Sequence, residues 1–254
     1  VRIKRFGWVR DIPDQRDLRY EPPPRLARAL PQKVDLREGF PPCYNQGELG
    51  SCTANAISGA LQFIETKEGA AAPVMPSRLF IYFNERALEG TTDSDSGAQI
   101  RDGIKSVARR GFCAEELWPY DIKRFADKPP ERCYRAALKD RVSQYLRLDH
   151  DLPGPLLTCL ASGYPFVFGF SVYESFESPR VAESGVVPLP GPRERVLGGH
   201  AVVACGYDLK ASRFIVRNSW GGRWGMNGYF TMPFAYLTNE FLSADFWTIR
   251  SVPV

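Results

Sequence analysis

Cys52, His200 and Asn218, joined by Gln46 and Trp220, supply between them every part of a thiol-based acyl-transfer site. A free cysteine thiol has a pKa near 8.5 and is mostly protonated at neutral pH, but a helix N-terminus and a neighbouring imidazolium both stabilise the thiolate. Cys52 stands where the glycine-containing turn of "NQGELGSC" gives way to a helical pattern, and His200 follows the glycine pair of "LGGH". An imidazole that is to exchange protons with a thiol must be held in one orientation. The amide oxygen of Asn218, in "RNSWGG", can accept the hydrogen bond from its far N–H without adding charge. Trp220 over that bond would exclude water and strengthen it. The tetrahedral oxyanion of acyl transfer needs donors, for which the Gln46 amide and the backbone N–H of Cys52 are candidates.

Each residue alone has a plainer reading. Cys52 could be a small hydrophobe opening a core helix. A histidine at the start of an apolar strand is more often structural than catalytic, and "NSWG" could be a strand ending in a turn. The second histidine, His150, lies in the polar turn "LRLDHDLPG", where solvent exposure accounts for it. What favours chemistry is that the set is complete.

These groups need a helix under the thiol and paired strands under the imidazole and amide. Ala56, Ile57, Ala60, Leu61 and Ile64 recur on one helix face, with Gly69 as a stop. Two further helices are expected in "PSRLFIYFNERALEG", with Ser77 as cap and Gly90 as stop, and in "AQIRDGIKSVARRG", with Ile100, Ile104, Val107 and Ala108 on one face. After about residue 140, "PFVFGFSV", "HAVVACGYD", "RFIVRNSW", "GYFTMPF" and "DFWTIRSV" read as strands of an antiparallel sheet or barrel. A helical first half and a β second half make an α+β arrangement of two lobes, and the cleft between lobes is where a site would form.

Composition narrows the field. A net charge of +4 with both signs interspersed gives no basic footprint for nucleic acid, and no apolar run approaches membrane-spanning length. The N-terminus lacks the apolar core of a signal peptide, which leaves a cytoplasmic chain or a secreted or periplasmic one whose leader is absent. The six cysteines are no disulfide scaffold. Cys113 and Cys133 bracket a Pro-containing loop and could pair, while Cys159 and Cys205 lie in apolar surroundings.

Three blocks in order, "QGELGSC", "GGHAVVACGYD" and "RNSWGGRWGMNGYF", resemble the papain-like cysteine proteases. "LPQKVDLRE" at 30–38 is similar to the mature N-terminus of these enzymes, "GFCAEELWPY" to a linker between helix and barrel, and "GWVRDIPDQRDLRY" to bacterial members. The resemblance implies a helical lobe packed against an antiparallel β-barrel lobe. Residues 1–30 would form an N-terminal extension and 31–254 the peptidase domain, with the helical lobe at about 40–140 and the β lobe at about 141–250. It implies Cys52, His200 and Asn218 as the catalytic set, Gln46 as oxyanion donor and Trp220 as support. Ser96, Gly97, Gly199 and Ala201 would line the substrate cleft. A protein or peptide substrate, a monomer and no metal or cofactor are expected. Leu49 and Thr53 stand where the family commonly has a cysteine and an aromatic residue, and Ser96 and Gly97 replace a glycine pair. Amidase, transpeptidase or deubiquitinase-like chemistry would use the same residues. A binding module on a dead protease is opposed by the complete set Gln46, Cys52, His200 and Asn218.

Two expectations remain for the groove. Phe168 and Phe170, with Ala201, would line an apolar pocket. Residues 1–30 include "EPPPR", whose prolines forbid helix and favour an extended form. They suit a strap across the cleft, anchored by Phe6, Trp8 and Ile12 with the intervening Arg and Asp residues solvated. Such a strap would restrict substrate entry; a structural arm on the back of the barrel is the alternative.

Overall fold

A computed structural model of the protein describes residues 6–251; residues 1–5 of the expected N-terminal extension and 252–254 of the expected second segment lie outside it. In chain order the elements are α1 (Pro24–Arg28), β1 (Lys33–Asp35), α2 (Cys52–Lys67), α3 (Arg78–Glu89), α4 (Ile100–Arg110), α5 (Glu131–Ala137), β2 (Gln144–Arg147), α6 (Pro153–Ala161), β3 (Phe166–Tyr173), α7 (Pro179–Ser184), β4 (Val196–Asp208), β5 (Arg213–Arg217), β6 (Tyr229–Pro233), α8 (Phe234–Leu237) and β7 (Ser243–Ser251).

The helices start and stop for local reasons. The Ser77 side chain accepts from Phe80 N at the start of α3, and Gly90 ends the helix in the left-handed region at φ 72°. Helix α2 is buried on every side over its first ten residues rather than along one stripe, because it lies between α3, α4 and the sheet. "EPPPR" is helical at its last proline, contrary to expectation: Pro24 opens α1, where its missing N–H leaves no bond unmade.

The strands form one antiparallel sheet in the order β2-β7-β3-β4-β5-β6, with β1 added on β4. The sheet is not closed, so the β lobe is a curved sheet rather than a sealed barrel. Parity along β3 sets what each face does. Phe166, Phe168, Phe170 and Val172 enter the β-lobe core with Phe246 and Trp220, whereas Val167 belongs with the helical core around Cys52 and Leu61. Phe168 stacks on Phe246 at 5.2 Å with ring planes 5° apart. It is a core residue and not the groove lining anticipated above; Gly169, between the two phenylalanines, has the cleft face.

All six cysteines are free thiols. Cys113 and Cys133 form no disulfide, though both are buried side by side in the helical core. His150 is half-buried, its ring stacked on Phe246 at 4.5 Å, so aromatic packing and not solvent holds it.

Candidate active site

The turn before α2 is fastened on both sides. Asp95 accepts the Gly50 N–H at 3.0 Å and the Tyr82 hydroxyl at 2.5 Å, which ties the turn to α3. On the other side, Gln46 N–H donates to Ser219 O at 2.9 Å, and the Ser219 hydroxyl donates to Gln46 Oε1 at 2.6 Å. The Gln46 amide is thereby fixed with its nitrogen toward the helix start, where Nε2 donates to Leu49 O at 3.0 Å. Ser219 was inside the quoted "NSW" motif, but nothing in sequence spacing shows that it orients Gln46.

His200 Nε2 donates to Asn218 Oδ1 at 2.8 Å. Asn218 Oδ1 also accepts the Ser219 N–H at 2.9 Å, which fixes the amide and hence the imidazole tautomer, with Nε2 carrying the proton. Nδ1 is buried and without a hydrogen bond. The Trp220 ring lies 5.1 Å from the imidazole at 34°, and Phe170 meets it edge-on at 5.8 Å. His200 and Cys52 are both fully buried.

What buries them is the N-terminal segment. Ala98 N–H donates to Gly7 O at 2.8 Å, Val9 N–H donates to Ala98 O at 3.0 Å, and Trp8 N–H donates to Gly199 O at 2.9 Å. Gly7 thus lies between the two lobes over Cys52. The approach is close enough to need glycine on both sides: a Cβ on Gly7 would sit 1.7 Å from Gly50 O, and one on Gly97 2.2 Å from Gly7 O. Phe6 covers the imidazole, its ring 6.2 Å from His200. Desolvation follows. Burial pushes the Cys52 thiol up to about 12, against opposing backbone N–H groups of Ala201, Gly7 and Thr53. Burial likewise drives His200 down to about 4, against its bond to Asn218. Beneath the strap, the thiol and the imidazole are both neutral.

The predicted anchors are corrected in part. Phe6 and Trp8 pack into the cleft, but Ile12 is 85% exposed. Asp11 is the buried residue there. It pairs with Arg101 at 3.2 Å and with Arg147 at 3.0 Å, and its N–H donates to Asp245 Oδ2 at 2.9 Å. Asp17 adds a second carboxylate on Arg101 at 2.5 Å. Between the apolar anchors Arg10 is exposed as expected, but Asp11 is not solvated, because two arginines from the two lobes await it.

The proposed cleft residues divide. Gly97, Gly199 and Ala201 border the strap or the thiol, whereas Ser96 is exposed and its hydroxyl turns to Thr91 and Gly97 O. Ala98 makes the backbone contacts with the strap on that wall. Thr53, in the place of an aromatic, donates to Glu85 Oε1 at 2.6 Å. Glu85 is fully buried, and burial raises its carboxyl well above the usual range, so it stays neutral behind the thiol helix.

A helical lobe bearing a thiol at a helix start, set against a sheet bearing an imidazole–amide pair, is the arrangement of a cysteine protease. The chain belongs to the papain family of cysteine proteases, whose sequence pattern matches residues 30–238. It is 42% identical over 272 residues to a peptidase C1-like protein of Acanthamoeba polyphaga mimivirus, covering 98% of this chain and 88% of that protein. Among solved structures it is similar to xylellain, a cysteine protease from Xylella fastidiosa, with a TM-score of 0.90, 42% identity and coverage of 97% and 96%. The bromelain protease from Ananas comosus shares the fold at a TM-score of 0.63 and 22% identity, over 80% of this chain and 90% of that one.

Proposed function

We propose that this cysteine endopeptidase uses Cys52 as nucleophile and His200 as the proton carrier, with Asn218 positioning the imidazole and Gln46 and the Cys52 N–H binding the oxyanion. The observation that carries the assignment is the 2.8 Å bond from His200 Nε2 to Asn218, which leaves Nδ1 free to take the thiol proton. The thiolate attacks the peptide carbonyl carbon. The oxyanion collapses with loss of the amine, which takes its proton from His200, and the same imidazole then activates water to cleave the thioester. The proposed steps need no residue from a second chain, and the proposal is accordingly a monomer acting on protein or peptide substrates.

We further propose that residues 6–17 hold the enzyme in check by occupying the cleft. The segment need bind only weakly, since tethering gives an effective concentration on the order of millimolar. Its departure rehydrates Cys52 and His200 and lets the thiolate–imidazolium pair form.

Cys52→Ala is expected to lower peptide turnover by more than about 10⁴-fold, with the melting temperature within a few degrees of the parent. A thiol-directed epoxide is expected to label Cys52 and none of the other five cysteines. Parent-like turnover in the variant, or labelling spread over the other thiols, would sink the assignment.

A further inference from the structure

Residues 111–120, "GFCAEELWPY", run from the end of α4 back to the turn that carries Gln46, and their last residue, Tyr120, donates its hydroxyl proton to Gln46 O at 2.9 Å. The same phenolic oxygen accepts from the Ser51 hydroxyl at 2.5 Å. One hydroxyl thus bridges Gln46, whose amide is one proposed oxyanion donor, and Ser51, whose peptide bond to Cys52 carries the other. Burial raises the Tyr120 pKa, against its contacts with Ser51 and Asn55, so the ring keeps the proton it donates.

Ser51 is diverted to this use. It occupies the cap position of α2, where a serine side chain ordinarily accepts a backbone N–H of the first turn, but it makes no such bond. Its hydroxyl accepts instead from Asn55 Nδ2 at 3.1 Å and donates to Tyr120. Asn55 Oδ1 accepts in turn from Arg78 Nη1 at 3.3 Å, and the Arg78 guanidinium lies over the Tyr120 ring, 3.9 Å from its centre. Arg78 is seated at 2.5 Å by Glu115, from the same linker as Tyr120. The Ser77 hydroxyl donates to Trp118 O at 2.6 Å and pins that linker to the start of α3. The donors therefore run one way, from Arg78 through Asn55, Ser51 and Tyr120 to the carbonyl of Gln46. Gln46, Ser51, Asn55 and Arg78 are all buried, where such a network favours a single arrangement.

A network that only braces the fold would lose stability with one hydroxyl and leave the chemical steps in proportion. One that sets the separation of two donors would lose the step in which charge develops on the carbonyl oxygen. The second fits better, because the hydroxyl touches both halves of the oxyanion site and the helix forgoes a cap to reach it. We propose that Tyr120 is a positioning residue for the oxyanion site, holding Gln46 and the Ser51–Cys52 peptide at a fixed separation, with Asn55 and Arg78 orienting the hydroxyls that do so. This deepens the catalytic assignment above and rests on it. Donors aimed in advance stabilise the oxyanion without reorganising at the moment of reaction, and a small displacement forfeits part of that effect.

The test is Tyr120→Phe in the full chain, which removes the bridging hydroxyl and keeps the ring over Arg78. Peptide hydrolysis is expected to lose about tenfold in kcat, with KM within about twofold. Labelling of Cys52 by a thiol-directed epoxide, which builds no carbonyl oxyanion, should stay within about twofold of the parent rate. Both reactions need the strap open, so the ratio of the two does not depend on how often it opens. A peptide aldehyde, whose hemithioacetal oxygen occupies the oxyanion site, should bind about tenfold more weakly. In a Gln46→Ala chain, Tyr120→Phe should cost no more than about threefold, because the donor it aims is gone. Ser51→Ala leaves Tyr120 bonded to Gln46 and withdraws the second anchor. It should show the same split with a smaller loss, and it decides the question if Tyr120→Phe fails to fold. Hydrolysis and labelling falling by one common factor, or losses that simply add in the Gln46→Ala chain, would make the network a brace and overturn the proposal. An impaired Gln46→Ala chain beside an unimpaired Tyr120→Phe chain would overturn this proposal alone. Parent-like turnover in Gln46→Ala would overturn the oxyanion assignment itself, and this proposal with it.

Discussion

The strap's two halves hold the molecule by different means. Residues 6–9 lie over Cys52 and His200, the proposed reacting groups, and use backbone hydrogen bonds and rings, with no ion pair to either. Residues 11–17 lie at the edge of the cleft and use buried charge, Asp11 and Asp17 against Arg101 and Arg147. The division has a physical reason. A carboxylate next to His200 would stabilise the imidazolium and favour the ion pair that hydrolysis needs. A neutral cover of peptide and aromatic groups removes water and leaves thiol and imidazole uncharged. Charges placed further along can then grip without activating. The latch also spans the lobes, since Arg101 is on α4 and Arg147 on β2.

Breaking the charged half should have the largest effect. Asp11→Ala leaves two nearly buried guanidinium groups short of a partner, a loss of about 3 kcal/mol in docking. Turnover is expected to rise by about 10²-fold and the melting temperature to fall. Falling stability with unchanged turnover would make the latch a structural arm only. Trp8→Ala empties the space over Gly169, where an added Cβ would lie 2.0 Å from the indole, while keeping the charges. A loss of about 2 kcal/mol should raise turnover by about 30-fold, and a smaller rise than that from Phe6→Ala would reverse the ranking of the two rings.

The smallest perturbation leaves the protein intact and follows His200 by NMR, with His150→Gln removing the second imidazole. His200 should remain neutral down to about pH 4 in the covered chain. Its pKa is depressed from 6.5, so the folded state binds fewer protons than the unfolded one between these values. The stability this contributes is complete above pH 6.5 and is lost as the pH falls through 4, on the order of 3 kcal/mol. In the Asp11→Ala, Trp8→Ala chain the titration should move upward. An unmoved value would show that the strap does not set the protonation state of the pair.

Much of the site was legible because its parts are local. The turn-to-helix step at Cys52, the glycines before His200 and the end of the strand at Asn218 are each readable within a few residues. Capping by Ser77 and termination at Gly90 followed from residue type. What was misread depended on side-chain direction. Phe168 and Phe170 are conspicuous in the sequence, yet the strand's alternation assigns them to the core and gives the cleft to Gly169. Ile12 appeared a better anchor than Asp11 by hydropathy, because the two arginines that receive Asp11 lie far away in the chain.

The sequence alone determined which chemistry is present and in what order its groups occur, because reactivity belongs to residue types and their immediate backbone. Tertiary structure decided which state the chemistry is in. Burial beneath Phe6, Gly7 and Trp8 makes Cys52 and His200 neutral, Ser219 aims Gln46, and Asp245 meets an indole from the opposite end of the chain. Desolvation and long-range pairing depend on surroundings assembled from distant segments, and no local pattern encodes them.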